Sequence, residues 1–443
     1  MHKAVRDAGT VLDWMNGTRK LIQGNDPRFK AAAMQAFNIS TEEQWETLRT
    51  SLLAELDASS NLAKKHAHGV VESKGTLEAE PFIPQDKIAA VFQSAMDEHL
   101  TDRLASAAQA TASGVQPPYG PPEKFDSGDA GWISVIAARL EQALAGKAQF
   151  VHHANITSFR YEMPDNTSVA LFADWATGEA PALALKSAIE NRNPEYTIHL
   201  GDTYYAGFKD EISHNLLACW PGGVKYQKCF AMNGNHEMYC GGKPYFNAIP
   251  IFGQSASYFN LGNQYWRLIA LDTSWCERGG DTPASSWGEL NDLQLPWLDG
   301  QINDARAKFP EVRIALLTHH QMFSAFDGDN LGQYLRRQLQ PHLDKGDFCA
   351  WFWGHEHRGI VYADNNSYNF KARCIGHGGF PYPPCTDTPA HVNQFPILWR
   401  EERCEATNAW YGMRGFAMLT FAGPQLHIDY VDQEGKIQYS EQW

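Results

Sequence analysis

The stretch EYTIHLGDTYYAG, residues 195–207, is the most informative part of this chain for its fold. Its first half is a short apolar run of the kind found in strands that are buried on both faces, and it stops abruptly at Gly201-Asp202. Five further stretches repeat this scheme of an apolar run ending in a polar cluster: SVALFADWATG (168–178), KCFAMNGNHEMY (228–239), WRLIALDTS (266–274), VRIALLTHHQMF (312–323) and DFCAWFWGHEHRG (347–359). With LALKSAIENR (183–192) as a crossover helix, the pattern predicts an α/β fold whose polar clusters meet at the carboxyl ends of the strands, where open α/β sheets place their sites.

The chain that precedes these strands has a different pattern of apolar and polar residues. Residues 1–112 are predicted to be a helical N-terminal region, with a capping box formed by Ser40 and Glu43 and another amphipathic helix after Pro84. The Pro- and Gly-rich segment 113–129 predicts a linker, and Trp132–Leu144 a further helix, so that 113–150 form a linker and helix. Residues 151–443 are predicted to form the catalytic domain, and the alternating pattern of 415–443 indicates edge strands.

Composition limits the possible partners and compartments. A formal net charge of −14 for 443 residues argues against a nucleic-acid backbone as partner. The eight cysteines form no CxxC pair, and no apolar stretch reaches the ~18 residues of a membrane span. The N-terminal sequence shows no apolar core of a signal peptide, so we expect a cytoplasmic protein, with a secreted form as the alternative. The N-terminal region is expected to serve packing, oligomerisation or a partner contact.

The polar clusters are ambiguous one by one and informative together. Gly201-Asp202 alone is compatible with an ordinary turn, and the His355/His357 pair alone with a surface loop. Combined with Asp174 and Asn235, however, they form a set of oxygen and imidazole ligands, each following its own strand. Such a set suits two adjacent metal ions.

This order of motifs resembles that of the calcineurin-like phosphoesterases, over roughly residues 165–430. One departure is informative, because Asp174-Trp175-Ala176 lacks the usual third-position histidine of the first motif. Tyr205 follows Asp202 by three residues, and this exchange is similar to the motif set of purple acid phosphatases, in which a tyrosine binds ferric iron. The resemblance implies a βαβαβ sandwich, with two mixed sheets flanked by helices, after the N-terminal helical region.

The resemblance also implies a role for each matched residue. One metal would be held by Asp174, Tyr205 and His357, a second by Asn235, His319 and His355, with Asp202 bridging both. The cofactors would be two metal ions, iron with zinc, manganese or a second iron. His236 would protonate the leaving group or stabilise phosphate oxygens, with Glu237 orienting it. Whether His319 or the adjacent His320 is the ligand stays open; His320 and His377 are expected to contact substrate.

The predicted activity is hydrolysis of phosphate esters by a metal-activated water, with a phosphorylated small molecule as substrate. Phosphomonoesters are favoured, and a phosphodiesterase or nucleotide pyrophosphatase is the alternative on the same site. A different kind of function is the second alternative: the protein would not be an enzyme and would bind a partner through its helical region.

Overall fold

The structure, a computed structural model, describes residues 8–37, 39–73, 132–276, 288–329, 331–364, 368–382, 388–405 and 411–443. The chain divides into two compact units. The larger one comprises Ala148–Met238, Gly242–Cys276 and Trp287–Trp443. The smaller one contains the N-terminal helices and the short segment Tyr239–Gly241.

The smaller unit is helical, as predicted. Its helices are α1 (Ala8–Gln23), α2 (Pro27–Ala36), α3 (Glu42–Ser73) and α4 (Trp132–Ala145). The predicted helix at Trp132–Leu144 is therefore confirmed, whereas the predicted helix after Pro84 and the linker 113–129 lie outside the described residues.

The capping box at the start of α3 is shifted by one residue from its predicted place. Thr41 Oγ1 accepts a hydrogen bond from the backbone N–H of Gln44, at 3.2 Å, and Gln44 Oε1 accepts the backbone N–H of Thr41, at 3.1 Å. The prediction of Ser40 and Glu43 was wrong because the Gln44 amide oxygen also reaches the N–H of Ser40, at 3.0 Å. A neutral amide thus satisfies both exposed donors before the first turn.

The larger unit is built from two mixed sheets. Its strands are β1 (Arg160–Glu162), β2 (Asn166–Phe172), β3 (Tyr196–His199), β4 (Cys229–Ala231), β5 (Phe259–Gly262), β6 (Trp266–Ala270), β7 (Arg313–Thr318), β8 (Ala350–Trp353), β9 (Gly359–Tyr362), β10 (Lys371–Ile375), β11 (Ile397–Arg400), β12 (Gly415–Ala422), β13 (Gln425–Asp432) and β14 (Ile437–Gln442). The first sheet has the order β1-β5-β6-β7-β8-β10-β9-β11, and the second β14-β13-β12-β2-β3-β4. Strands β6, β7, β8 and β10 run parallel in the first sheet, and β2, β3 and β4 in the second. The tail strands β12–β14 pair antiparallel, as predicted from their alternation.

Helices cover the outer faces of both sheets. They are α5 (Ala180–Arg192), α6 (Lys209–Glu211) continuing into a π-helical turn (Ile212–Leu217), α7 (Asn235–Met238), α8 (Lys243–Ala248) followed by a 3-10 turn (Ile249–Phe252), α9 (Gln294–Lys308) and α10 (Gln333–Lys345). The predicted fold class, two mixed sheets flanked by helices, is confirmed.

The apolar runs are continuous because each central strand is buried on both faces. In β2, Val169 and Leu171 point into the core between the two sheets, while Ala170 and Phe172 pack on the outer side with α5. This is the period-two alternation of a strand with a hydrophobic layer on each side. The arrangement leaves the carboxyl ends of the strands as the place where polar residues can gather.

A buried ion pair joins the two sheets. Arg373 on β10 donates from Nε to Glu441 Oε1 at 2.7 Å and from Nη2 to Glu441 Oε2 at 2.6 Å, across to β14. Glu441 also accepts hydrogen bonds from Tyr430 and Trp443, and Arg373 donates to the carbonyl of Tyr362. The charges are therefore fully hydrogen-bonded, which is the condition under which a buried pair is tolerated.

We expect Arg373→Met to lower the free energy of unfolding by about 3–5 kcal/mol, because it leaves the Glu441 carboxylate buried without its partner. Urea unfolding followed by circular dichroism measures this. Lys308→Met is the matched control, since its pair with Asp304 lies at the surface and its loss should change the unfolding midpoint little. The double variant Arg373→Met/Glu441→Leu should recover much of the loss, and no recovery would show that packing rather than the unpaired charge sets the effect.

Among the described residues, none of the helices combines the length and the apolar character that a membrane crossing requires.

Candidate metal centre

The loops at the carboxyl ends of five strands converge on one buried cluster. Asp174 follows β2, Asp202 follows β3 and Asn235 follows β4 in the second sheet. His319 follows β7 in the first sheet, and the pair His355 and His357 follows β8. Asp174 and His319 are completely buried, and Asp202 and Asn235 are almost so.

A first group of donor atoms surrounds the hydroxyl of Tyr204. That hydroxyl lies 3.2 Å from Asp174 Oδ1, 3.2 Å from Asp202 Oδ2 and 2.9 Å from His357 Nε2. His357 Nε2 is 3.5 Å from Asp174 Oδ1. Two ligands at right angles and about 2.1 Å from a metal lie about 3 Å apart, so these spacings suit one metal ion.

Tyr204, and not Tyr205, reaches this group, which corrects the sequence-based choice of Tyr205. Thr203 pairs with Ala176 in a parallel bridge, so the chain is extended as it leaves Asp202. The Tyr204 hydroxyl lies 3.2 Å from both Asp174 Oδ1 and Asp202 Oδ2, which places Tyr204 in this group. The backbone N–H of Tyr205 instead donates to Glu211 Oε1 at 2.5 Å, and its carbonyl faces His236.

A second group contains Asn235, His319 and His355. Asn235 Oδ1 lies 2.8 Å from His319 Nε2 and 3.0 Å from His355 Nδ1, and these two nitrogens are 3.2 Å apart. His319 Nδ1 donates to the carbonyl of Leu200, at 3.0 Å. A carbonyl oxygen can only accept, so Nδ1 carries a proton and Nε2 is the nitrogen that can bind a metal.

Asp202 touches both groups with different oxygens. Its Oδ2 lies in the first group, beside Tyr204, while its Oδ1 is 3.3 Å from His319 Nε2 in the second. A carboxylate with one oxygen directed at each of two ligand groups has the geometry of a bridging ligand.

His320 lies beside the second group. Its ring offers a nitrogen within 4.8 Å of ligand atoms on His319 and His355, so these three histidines form a possible ligand set of their own. Its ring centroid is 4.5 Å from that of His355. The structure therefore brings both adjacent histidines, His319 and His320, to the cluster.

Several candidate ligands have a backbone conformation that non-glycine residues rarely adopt. The φ angle is +53° at Asp174, +79° at Asp202, +67° at His355 and +51° at His357. Such residues each cost on the order of 1–3 kcal/mol and cluster at functional sites. Neighbouring glycines allow the loops to approach: a Cβ at Gly234 would lie 2.2 Å from Asp202 Oδ1, and one at Gly354 would lie 2.7 Å from Asp174 Oδ2.

With this geometry in hand, comparison with known proteins is informative. Residues 167–359 match the model of the calcineurin-like phosphoesterase family. The matched segment spans from β2 to the end of the last ligand motif, and the family is one of metal-dependent phosphoric ester hydrolases. No curated protein matches the sequence.

Two solved structures are among those similar to this chain. A purple acid phosphatase isolated from yellow lupin (Lupinus luteus) seeds shares 16% identity, with a TM-score of 0.47, over 63% of this chain and 54% of its own. The match thus spans about half the length of that enzyme. The anchor protein in the inner membrane complex of Plasmodium shares 12% identity, with a TM-score of 0.41, over 62% of this chain and 88% of its own.

The acidic groups of the cluster are crowded together in a buried space, which shifts their pKa values. Burial raises the pKa of Asp174 well above its usual value, and Asp202 adds to the shift against the opposing effect of His319. Burial and the two carboxylates likewise raise the pKa of the Tyr204 hydroxyl. Burial opposes ionisation of Asp202 as well, but His319 and His236 outweigh it and hold the pKa of that carboxyl well below its usual value.

This donor set fits a pair of metal ions. Two carboxylates and a phenol gather around one point, and a cation there would relieve the repulsion among their charged forms. The first group offers hard oxygen atoms, and the amide and imidazole donors of Asn235, His319 and His355 are ligand types that first-row transition metals accept.

His236 is held so that its ring lies beside the first group. Its Nδ1 donates to the carbonyl of Tyr205 at 2.5 Å, its backbone N–H donates to Asp202 Oδ1 at 3.0 Å, and its ring packs on Tyr204 with centroids 4.3 Å apart. Nε2 lies 3.8 Å from Asp202 Oδ2, so it faces the first group.

The Glu237 side chain binds backbone amides, which differs from the role predicted for it. Its Oε2 accepts the backbone N–H groups of Gly234, at 2.8 Å, and Asp202, at 3.1 Å. The prediction that it orients the His236 ring is corrected, because the Tyr205 carbonyl does so, and the buried Glu237 carboxylate instead ties together the loops after β3 and β4. Burial, with a further contribution from Asp202, raises its pKa to about 7.

His377 is a buried histidine in the neighbourhood of His357. Its ring is packed between Gly359 and Gly415, where an added Cβ would lie 2.6 and 2.3 Å from its Nε2. It lines a pocket that it shares with His357, Arg358 and Phe380. The predicted contact of His377 with substrate stays a prediction.

Sequence reasoning missed the residues that hold these loops in place. Asp272, after β6, accepts hydrogen bonds from Asn233 Nδ2, at 3.1 Å, and from Ser257. It thereby fixes the residue that precedes the GlyAsnHisGlu motif. The sequence did contain a signal for Asp272, because in WRLIALDTS an apolar run also ends in polar residues. Only the fold shows that Asp272 faces Asn233.

Proposed function

We propose that this protein hydrolyses phosphate esters, and preferentially phosphomonoesters, at a dinuclear metal centre. The first metal would be bound by Asp174, Tyr204 and His357, and the second by Asn235, His319 and His355. The observation that carries the proposal is the position of Asp202, whose two carboxylate oxygens each face one of these groups. The family match of residues 167–359 supports the same class of reaction.

Several residues of the chain would each have a role in an in-line displacement at phosphorus. Two bound cations would supply charge neutralisation on the phosphoryl oxygens and a water of lowered pKa as nucleophile. His236 would direct Nε2 at the leaving oxygen and donate a proton to it, since Nδ1 is committed to the Tyr205 carbonyl. Glu237 and Asp272 would keep the loops that carry Asp202 and Asn235 at their spacing.

Two finer statements belong to the proposal. The tyrosine beside the first group favours ferric iron there, because phenolate is a hard anionic donor. It also favours phosphomonoesters by the resemblance to purple acid phosphatases.

Substrate class is tested by comparing para-nitrophenyl phosphate with bis-para-nitrophenyl phosphate, with and without chelator. Faster, chelator-sensitive hydrolysis of the monoester supports the proposal. A preference for the diester would move it to a phosphodiesterase, and hydrolysis of neither ester by metal-loaded protein would overturn it.

We expect purified protein to hold close to two metal ions per chain, because two donor groups share one carboxylate. Elemental analysis after chelator-free purification measures this. Asp202→Ala should reduce the occupancy of both sites, whereas Asn235→Ala should reduce mainly one. Active protein with a reproducible metal content near zero would exclude the proposed chemistry.

A further inference from the structure

One carboxylate accepts three backbone N–H groups of the loop that follows Asp202, residues 203–208, which we call the tyrosine loop. Glu211 Oε1 accepts the N–H of Tyr205 at 2.5 Å, and Oε2 accepts those of Ala206, at 2.9 Å, and Phe208, at 3.0 Å. Ala206 is completely buried, and Tyr205 and Phe208 are almost so. Their N–H groups therefore depend on partners in the protein rather than on water.

Glu211 reaches these groups because of its place in α6. It is the third residue of that helix, where a glutamate side chain commonly folds back to the N–H of the residue that precedes the helix, here Phe208. A carboxylate has two oxygens that can each accept more than one hydrogen bond, so the same side chain also holds the N–H groups of Tyr205 and Ala206. A local contact at the start of a helix thereby becomes a clamp on the tyrosine loop.

A second side chain holds a carbonyl of the same loop. Asn215 lies in the π-helical turn that continues α6, and its Nδ2 donates to the carbonyl of Tyr204 at 3.1 Å. Asn215 is itself packed against the loop that follows β2, because a Cβ at Gly178 would lie 2.5 Å from Asn215 Oδ1. The Tyr204 carbonyl and the Tyr205 N–H belong to one peptide unit. Asn215 and Glu211 thus hold both hydrogen-bonding groups of the peptide that joins the two tyrosines.

The tyrosine loop carries two groups that belong to the candidate metal centre. The Tyr204 hydroxyl lies 3.2 Å from both Asp174 Oδ1 and Asp202 Oδ2, and the Tyr205 carbonyl accepts from His236 Nδ1. Because the two tyrosines are adjacent, a shift of the peptide between them displaces the phenol and the imidazole together. The position of this one peptide therefore affects both a candidate metal ligand and the candidate proton donor.

We propose that Glu211 and Asn215 are positioning residues, which hold the Tyr204 phenol in the first donor group and set the orientation of His236. They act through the backbone of the tyrosine loop, by accepting its N–H groups and donating to its carbonyl. Their effect on the metal centre rests on the function proposed above, whereas their hold on the loop does not.

The hold on the loop is tested on metal-free protein by hydrogen–deuterium exchange with mass spectrometry. Glu211→Gln keeps the shape of the side chain but replaces one accepting oxygen with an NH₂ group that cannot accept. Peptides that cover residues 203–208 should then exchange about 10-fold faster, the effect of losing one hydrogen bond to a charged group. Unchanged exchange of these peptides would overturn the proposal.

Asp210→Asn is the matched control, because it makes the same chemical change at the exposed neighbouring position of α6 and should leave the exchange of the tyrosine loop unchanged. Peptides from β12 and β13 should exchange as in the wild type in both variants, which shows that the fold is intact. If Glu211→Gln also changes these strands, Asn215→Leu serves as the second variant, since it removes the donor to the Tyr204 carbonyl and leaves Glu211 in place.

The effect on the metal centre is tested on iron-loaded protein. Glu211→Gln and Asn215→Leu should each weaken or shift the visible band per bound iron, because the Tyr204 phenol moves relative to the two carboxylates. Turnover should fall by about 10²-fold, the cost of misplacing a reacting group by about 1 Å, with a smaller change in KM. The fall should be larger for an alkyl phosphate than for para-nitrophenyl phosphate, because a displaced His236 protonates the leaving group less well.

These measurements separate the two hypotheses. If wild-type protein hydrolyses neither ester, the proposed function fails, and with it the effect on a metal centre, while the exchange rates still decide whether Glu211 holds the loop. If wild-type protein is active and Glu211→Gln loosens the loop, but the visible band and the rates on both esters stay unchanged, the proposed function stands and the positioning role of Glu211 is excluded.

Discussion

Replacing His236 by Ala should lower turnover by roughly 10²–10⁴-fold, the range expected for a positioned proton donor, while metal content stays the same. The reason is the fixed ring: Nδ1 donates to the Tyr205 carbonyl, and Nε2 is directed at the first donor group, 3.8 Å from Asp202 Oδ2. The loss should be larger for an alkyl phosphate than for para-nitrophenyl phosphate, because a good leaving group needs less protonation. Steady-state rates on the two esters, with elemental analysis of each sample, measure this.

The control is His427→Ala, which removes a surface histidine on β13 that pairs with Asp429 and should leave turnover unchanged. Equal losses on both esters would show that His236 stabilises the phosphoryl oxygens rather than protonating the leaving group. A fall in metal content would show instead that the backbone contact of His236 with Asp202 Oδ1 holds the centre together.

Tyr204→Phe should abolish the visible absorption of iron-loaded protein. A phenolate bound to ferric iron gives a charge-transfer band that colours a protein violet to purple, and the Tyr204 hydroxyl is the phenol that lies within 3.2 Å of Asp174, Asp202 and His357. The substitution removes one oxygen and keeps the ring, so packing against His236 and Phe380 is preserved. Iron content of the first site should fall, whereas the second site, held by other residues, should stay largely occupied.

Tyr205→Phe is the matched control, because it makes the same chemical change one position along the chain. Its backbone groups hold Glu211 and His236, and these contacts do not need its hydroxyl. Colour that survives Tyr204→Phe and disappears with Tyr205→Phe would restore the assignment made from motif spacing. Iron-loaded wild-type protein without a visible band would exclude a ferric phenolate at this site.

Much of the site was predictable because its residues are tied to strand ends. A short apolar run such as SVALFA is typical of a strand in a buried parallel sheet. The polar residue that follows the strand then lies at the carboxyl edge of the sheet. Asp174, Asp202, Asn235, His319 and the pair His355/His357 could therefore be placed together from sequence. The structure adds that glycines before several of them let the loops approach, because a Cβ at these positions would clash.

What the sequence could not decide were directions of side chains within loops. The motif spacing favoured Tyr205 over the adjacent Tyr204, whereas in the structure the Tyr204 hydroxyl lies 3.2 Å from Asp202 Oδ2. The partner of His236 depended likewise on where the Tyr205 carbonyl points, and this left Glu237 to bind backbone amides of two loops.

By itself, the sequence determined the α/β fold class and the set of residues that gather at one edge, because periodicity and strand ends are local properties of the chain. The tertiary structure decided which oxygen of Asp202 faces which group, which tyrosine joins them, and which hydrogen-bond partner each histidine has. Those choices depend on atoms brought together from strands 30 to 180 residues apart, such as His355 and Asp174. A hydrogen bond is selective over tenths of an ångström, and no pattern in the sequence specifies distances on that scale.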